Sequence, residues 1–594
     1  MDPKWLRVLT SYNRSLKSTA DETFFRLLNK VWRPEIPNGL ELLHCIESRN
    51  VAGMIEWAGT ATAQQYSSAA QHFAAFQMAA LVKKYPYPED LYKVDRERVA
   101  WDRLLSTEAH GAEVNERFRS YATVSPHESD LACMRAFIRY VLGDEPCMER
   151  IYSKCNYGPG ANVGVHGDAT NFLRKILAED WTVTADCINH AFRAMGRCVP
   201  LSELLFRRGG HYQRFYCVDG DVALQEFRRR LKLVAHNKIT FVYKDATTDR
   251  LIGIEPLLNG YVQKGIDLEM RDLLSRVGFD LHSQTRNSQY ARFGSEDDWR
   301  ADGFVTLDLK DASNSVFLEP VRTLLPPAWT DLLMETRSPA GNSKFGSLNY
   351  EFIASMGNGF CFPLETLLIA AACHAAGCGS PRKDYVVYGD DIVVRKNYVP
   401  RVIELLSLLG FQLNQRKSFT KGPFRESCGA DWYLGRDVRP HTLDTSFDNL
   451  EAVFKFLNQV QRNDFTRVFF EGVDFKFFHT PAPLQLVRPY PGPDDAAVTV
   501  PLDQFLTSRY ARWSKDLQTW TWVELMHSAV PDRGSRAMES RDIPLMYVAL
   551  GGGKSHQPFA FRRKSKTKLR RVPQSPNAVK RRGPDTPSSN RHRG

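Results

Sequence analysis

Asp384-Tyr-Val-Val-Tyr-Gly-Asp-Asp-Ile-Val-Val-Arg-Lys396 is the stretch around which this 594-residue chain is organised. Two β-branched or aromatic runs, Tyr385 to Tyr388 and Ile392 to Val394, flank Gly389-Asp390-Asp391, a pattern that predicts a tight β-hairpin. Both runs are apolar on each face, so the hairpin is expected inside a domain. Two adjacent carboxylates at a buried tip are costly, because each ionised group raises the other's pKa and neither is solvated. A pair of Mg²⁺ ions would remove that cost, whereas an Asp-rich surface turn would not incur it. The hairpin alone leaves both readings open.

Around it the chain alternates strands and helices. Upstream, Phe304 to Leu309 reads as a strand with Asp308 near its end, followed by Lys310-Asp-Ala-Ser-Asn-Ser315 turning toward a helix. A carboxylate at the end of a core strand is a usual metal-ligand position, and N-capping of the following helix is a fair alternative for Asp311 or Ser313. Ser355-Met-Gly-Asn-Gly359 is a polar loop opening into an apolar helix, with Pro363 in its first turn. Asn358 could donate to and accept from a sugar hydroxyl there, or simply cap the helix, as could Ser355. Downstream, Val402, Leu405, Leu406 and Leu409 keep helical spacing, and Phe411 to Gly435 follows with strand-forming residues. This order predicts an α+β domain with an antiparallel sheet.

Further out the signals weaken. His236 to Pro256 reads as two strands joined by a polar turn and carries Lys238, Lys244 and Arg250, cations that a solvated face would also explain. Leu257 to Val277 is helical, and Tyr157 to Gly167 is a glycine-rich loop matching no phosphate-binding fingerprint. Residues 1–150 read as mostly helical and end near Gly143, with Tyr85-Pro-Tyr-Pro88 as a rigid connector. Beyond about 441 the pattern is helical again, broken by a Pro-rich stretch from Thr480 to Pro493. Gly551-Gly-Gly553 marks the expected end of folded sequence, before a disordered basic tail.

Composition narrows the class. With 43% hydrophobic and 25% charged residues the chain is globular and long enough for several subdomains. The net charge of +11 is misleading: 13 of the 79 Lys and Arg, but one of the 68 acids, lie from Lys554 onward, leaving 66 bases and 67 acids elsewhere. Eleven cysteines without a C-x-x-C pair argue against a disulfide framework or zinc knuckle, and Cys373, His374 and Cys378 fall in an Ala-rich apolar helix. The longest apolar run, Leu367 to Cys378, cannot span a bilayer, and Met1-Asp-Pro-Lys-Trp5 lacks a signal-peptide core. An intracellular protein without a membrane segment is expected.

Taken in order, these blocks resemble one family. From about 155 to 440 the sequence is similar to the RNA-directed RNA polymerase subunit of the single-stranded RNA phages, the Qβ-like replicases of the leviviruses. The resemblance rests on Lys244 to Pro256, Gln284 to Gly294 with Asn287, Asp308-Leu-Lys-Asp-Ala-Ser313, and Leu324-Leu-Pro-Pro327. It continues through Ser355 to Gly359 with Glu365, Tyr388-Gly-Asp-Asp391, and Gly422-Pro-Phe-Arg-Glu-Ser-Cys-Gly429.

The resemblance implies a right-hand polymerase. Residues 1–150 would be a helical region contributing to the fingers and 151–293 the fingers with the basic hairpin. Residues 294–440 would be the palm, its catalytic part at about 294–423, with 441–550 a helical thumb and 551–594 the tail. It implies a polymerase that copies a positive-strand phage RNA genome from ribonucleoside triphosphates in the bacterial host cytoplasm. Host elongation factors Tu and Ts and a small-subunit ribosomal protein are implied partners. Asp308, Asp390 and Asp391 fall on the family's ligand positions for two Mg²⁺ ions. Three carboxylates and a triphosphate of about −4 against two Mg²⁺ leave about −3, so cations must come from elsewhere, with Lys244 and Arg250 as candidates. Lys417 matches a position suited to general acid catalysis. Ser355, Gly357 and Asn358, with Asn314 six residues after Asp308, fall where the ribose 2′-hydroxyl would be sensed. Many relatives have an acid at the position of Asn314 and at that of Pro363. A reverse transcriptase, which shares the Tyr-x-Asp-Asp hairpin, and a non-catalytic RNA-binding protein are the competing readings.

Overall fold

Phe304–Leu307, Asp391–Arg395 and Tyr385–Tyr388 form a three-stranded antiparallel sheet with Asp391–Arg395 in the middle. In the computed structural model, residues 3–529 are described except 65, 122–124, 168, 171, 177 and 198–219, together with 565–573. Ile392, Val393 and Val394 are fully buried, which stabilises the fold by about 5–9 kcal/mol before chain entropy is subtracted. The Cys361–Ala375 helix, apolar on nearly every side, packs against the hairpin and accounts for the absence of alternation in its strands. Leu309–Lys310 continues past Asp308 to pair with Gln412–Leu413. Asp308 therefore sits between two strand segments.

The expected basic hairpin is present as Asn237–Asp245 and Thr248–Ile254. It joins Ala340–Ser343 and Gly346–Asn349 in a four-stranded sheet. The Leu257–Arg276 helix follows it, as its spacing predicts.

Hydrophobic contacts divide the chain in a way its linear order does not reveal. One core runs from Trp101 to Phe411 and encloses the three-stranded sheet. A second joins the helices between Trp5 and Tyr87 to residues from Phe424 to Leu525. Tyr12 Oη donates to the Phe478 carbonyl at 2.8 Å, and the Gln77 amide makes reciprocal 2.8 Å bonds with the backbone of His441. The helical region taken as residues 1–150 thus splits near residue 90, its first part packing with the C-terminal segment.

Three expectations need correction. Residues 441–550 are not helical throughout: after Leu450–Gln459 and Asp464–Phe469 come Val487–Arg488, Val498–Thr499, Arg512–Ser514 and Thr519–Ala529, all strands. The tail is not wholly without structure, because Ser565–Pro573 pairs antiparallel along Thr519–Ala529. Gly551 to Gly553 and the remainder of the tail lie outside the described residues. Finally, neither Asp311 nor Ser313 caps a helix with its side chain. Asp311 instead takes a left-handed φ of 48° before a short 3₁₀ turn, with Arg103 Nε at 2.5 Å from its carboxylate.

Candidate active site

The acidic hairpin is tighter than Gly389-Asp390-Asp391 suggests. Tyr388 pairs directly with Asp391, leaving Gly389 and Asp390 as a two-residue turn. Gly389 has φ +61°, and a Cβ there would lie 2.3 Å from the Phe362 ring. Only glycine meets both demands. Its N–H donates to Thr366 Oγ1 at 3.0 Å, tying the turn to the apolar helix behind it.

Each carboxylate is held differently. Asp308 Oδ2 accepts from Asn414 Nδ2 at 2.7 Å, and its backbone N–H donates to Ser418 Oγ at 3.1 Å. Asp391 Oδ1 accepts from Cys428 N–H at 2.8 Å and Ser427 Oγ at 3.2 Å. Asn287 Nδ2 holds the Asp391 carbonyl at 3.0 Å, which gives the Gln284 to Gly294 block a positional role. Burial pushes all three carboxyls above the ordinary range. For Asp391, burial and the neighbouring Asp390 charge lift it to about 6, against the Cys428 and Ser427 hydrogen bonds. Asp390 also raises Asp308, so the carboxylates feel one another.

Cations from distant parts of the chain face them. Lys417, Arg250 and Lys244 each lower Asp390, and Lys417 and Lys244 also lower Asp308. Lys417 is exposed in the turn after Gln412–Leu413. Lys244 is the extra residue where the register shifts between Tyr243 and Asp245, a bulge that re-aims its side chain. Lys238, farther down the strand, is not among the leading causes acting on these carboxylates.

Two lysines were missed. Lys83 and Lys84 end the Ala69–Lys84 helix beside the basic hairpin. Lys84 Nζ donates to the Lys244 carbonyl at 2.6 Å, and the Lys83 carbonyl accepts from Ala246 N–H at 2.8 Å. Burial lowers the pKa of Lys83, Lys84 and Lys244, and Lys417 lowers them further. A Lys-Lys pair at a helix end ahead of Tyr-Pro-Tyr-Pro was the available signal.

Unpartnered polar atoms line the same region. Asn314 Oδ1, Asn358 Nδ2 and Glu365 Oε1 are buried without hydrogen-bond partners among the described residues. Asn358 Oδ1 accepts from Phe360 N–H at 3.0 Å, so it forms a local turn rather than a helix cap. Glu365, whose Oε2 accepts from Ser313 Oγ at 3.3 Å, is pushed well above the carboxylate range by burial and then by Asp390. Ser355 is buried against Asn237, and Gly357 has φ +116° with the Gly253 carbonyl 2.2 Å from where a Cβ would be. The Tyr157 to Gly167 loop has a different task, its Gly158 and Gly160 carbonyls accepting from Lys175.

The donor set at the acidic hairpin fits Mg²⁺ in chemistry, because all three side chains offer hard oxygens. Among the described residues, no three His, Cys, Asp or Glu side chains are drawn together closely enough to cage a metal. Mg²⁺ is usually bound by one or two carboxylates completed by phosphates and water, so a preformed protein cage is not required. Cys373 and Cys378 are buried in the core, as their apolar setting predicts. Among the described residues no helix is long and apolar enough to cross a membrane.

Comparison with known proteins places this geometry in context. The sequence profile of a family described as "RNA replicase, beta-chain" matches residues 43–468, more than half of the chain. The RNA-directed RNA polymerase subunit beta of Escherichia virus Qbeta is 33% identical over 379 residues, 62% of this chain and 59% of that protein. The RNA-directed RNA polymerase beta chain of Escherichia phage MS2 is 34% identical over 313 residues, 52% of this chain and 53% of the relative. The matches thus span little more than half the length of these curated relatives. A solved structure described as "In situ structure of BmCPV RNA-dependent RNA polymerase at elongation state" aligns with 61% of this chain and 33% of that chain. At a TM-score of 0.33 and 12% identity, that likeness carries no argument about fold.

Proposed function

The chain belongs to the RNA replicase β-chain family, and from that premise we propose that it is an RNA-directed RNA polymerase copying a positive-strand phage genome. The observation that carries the reading is the meeting of opposite charges from separate segments, with Lys244, Arg250 and Lys417 all acting on Asp390. In this reading the three-stranded sheet is the palm, the basic hairpin belongs to the fingers, and the C-terminal segment forms the thumb.

Asp308, Asp390 and Asp391 would hold two Mg²⁺ ions. When bound, the ions would supply activation of the primer 3′-hydroxyl and charge stabilisation at the pyrophosphate. Asn414 and the Ser427–Cys428 pair fix the orientation of Asp308 and Asp391. Lys244 and Arg250 offset the triphosphate charge, and Lys84 holds the Lys244 backbone in place. Lys417, exposed and beside both Asp308 and Asp390, donates a proton to the leaving pyrophosphate as general acid. Ser355 and Gly357 shape the loop that presents Asn358. Asn358 Nδ2 as donor and Asn314 Oδ1 as acceptor, both unpartnered, suit a ribose 2′-hydroxyl, which needs one of each. RNA template and product, ribonucleoside triphosphates, host elongation factors Tu and Ts and a small-subunit ribosomal protein complete the proposed assembly in the host cytoplasm.

The competing readings separate in one assay. Purified full-length chain is given an RNA template with either ribo- or deoxyribonucleoside triphosphates. Incorporation of ribonucleotides is expected. Preference for deoxyribonucleotides would make it a reverse transcriptase, and binding of RNA without either synthesis would make it a non-catalytic RNA-binding protein.

A further inference from the structure

A buried carboxylate outside the acidic hairpin connects the basic hairpin to the Ser355–Gly359 loop. Glu255 follows Thr248–Ile254 directly and is 3% exposed. Its Oε1 accepts from Asn237 Nδ2 at 2.9 Å, and its Oε2 accepts from Gln263 Nε2 at 2.9 Å and Ser338 Oγ at 2.7 Å. Both amides continue to the loop, one to each end. Asn237 Nδ2 also reaches Ser355 Oγ at 3.1 Å, and Gln263 Oε1 accepts from Gly359 N–H at 3.2 Å.

Neither amide can turn without loss. Asn237 Oδ1 accepts from Tyr350 Oη at 2.8 Å, and Gln263 Nε2 also donates to the Thr336 carbonyl at 2.9 Å. Between the two ties, Gly253 N–H donates to the Met356 carbonyl at 2.7 Å, so the middle of the loop rests on the strand leading to Glu255. The loop residue with an unpartnered donor, Asn358, lies within this frame.

We propose that Glu255 is a positioning residue for sugar discrimination, holding both ends of the Ser355–Gly359 loop so that Asn358 meets the ribose 2′-hydroxyl. The proposal rests on the polymerase reading. An ionised carboxylate is acceptor-only and can serve all three donors. Gln at this position turns an NH₂ group toward one of them and releases part of the frame. A shift of about 1 Å at a positioning group can cost about a hundredfold, so even partial release is measurable.

The test compares kcat/KM for a ribonucleotide and its 2′-deoxy counterpart on an RNA template, using full-length wild type, Glu255→Gln and Ser338→Ala. Glu255→Gln should lower the ribose preference by roughly tenfold or more while leaving RNA affinity unchanged. Ser338→Ala, which removes a donor that does not touch the loop, should keep the wild-type ratio. If Glu255→Gln does not fold, Gln263→Met, which cuts the Gly359 tie, carries the same prediction. A wild-type ratio in the folded Glu255→Gln protein, or equal losses in Glu255→Gln and Ser338→Ala, overturns the inference while the polymerase reading stands. A wild-type chain that synthesises nothing overturns both.

Discussion

The acidic and basic hairpins are built alike and positioned differently. Both are antiparallel pairs with short turns, and both carry the charges that matter at or near the turn. The acidic hairpin is fixed by burial, with Phe304–Leu307 paired along its second strand and Gly389 pressed against Phe362. The basic hairpin alternates between buried and accessible residues, and its tip is held by the Lys83 backbone carbonyl and one hydrogen bond from Lys84. Both sides are electrostatically uncomfortable: burial raises the carboxylates and lowers Lys244, Lys83 and Lys84. Opposite charges offset that only in part. Such a site gains from ligands that bring both cations and phosphate oxygens, which is what nucleotidyl transfer requires.

Breaking the acidic side should have the largest effect. Asp390→Asn should reduce nucleotide incorporation by roughly a thousandfold or more, the scale of losing a transition-state interaction, with RNA binding retained in a filter or anisotropy assay. On the basic side the loss is shared among several cations. Lys244→Ala should therefore raise the nucleotide KM by only about tenfold, measured by steady-state kinetics.

The smallest effect separates the two hairpins by pH. Asp391, raised to about 6 without metal, must be ionised to take a metal ion, so Mg²⁺ affinity should fall as pH drops through that value. Ser427→Ala removes a hydrogen bond that lowers Asp391, so the fall in Mg²⁺ affinity should begin at higher pH, with little change at pH 8. The linkage runs the opposite way for stability without metal. A carboxyl raised in the folded state favours folding below its unfolded pKa, and that contribution is lost as pH rises through about 6.

The acidic hairpin was legible because its signals are local: apolar runs, a glycine at the turn, and adjacent carboxylates within a dozen residues. Asp308 was legible for the same reason, at the end of a short strand. Lys83 and Lys84 were not, because they lie about 160 residues from Lys244 and meet it only through packing. Glu255 looked like an ordinary residue before a proline, since its three partners come from a strand start, a helix and a loop. Val487–Arg488 and Val498–Thr499 escaped notice because they are too short to show alternation. Ser565–Pro573 was hidden by a basic composition that normally marks disorder, and its pairing with Thr519–Ala529 is a long-range contact.

The central claim is that the two hairpins form one polymerase site, and Mg²⁺-dependent synthesis tests it most directly. Purified full-length chain, assayed on an RNA template with and without host extract, should incorporate ribonucleotides when Mg²⁺ is supplied and stop when it is chelated. RNA binding without synthesis at any Mg²⁺ concentration, in both conditions, would contradict the account.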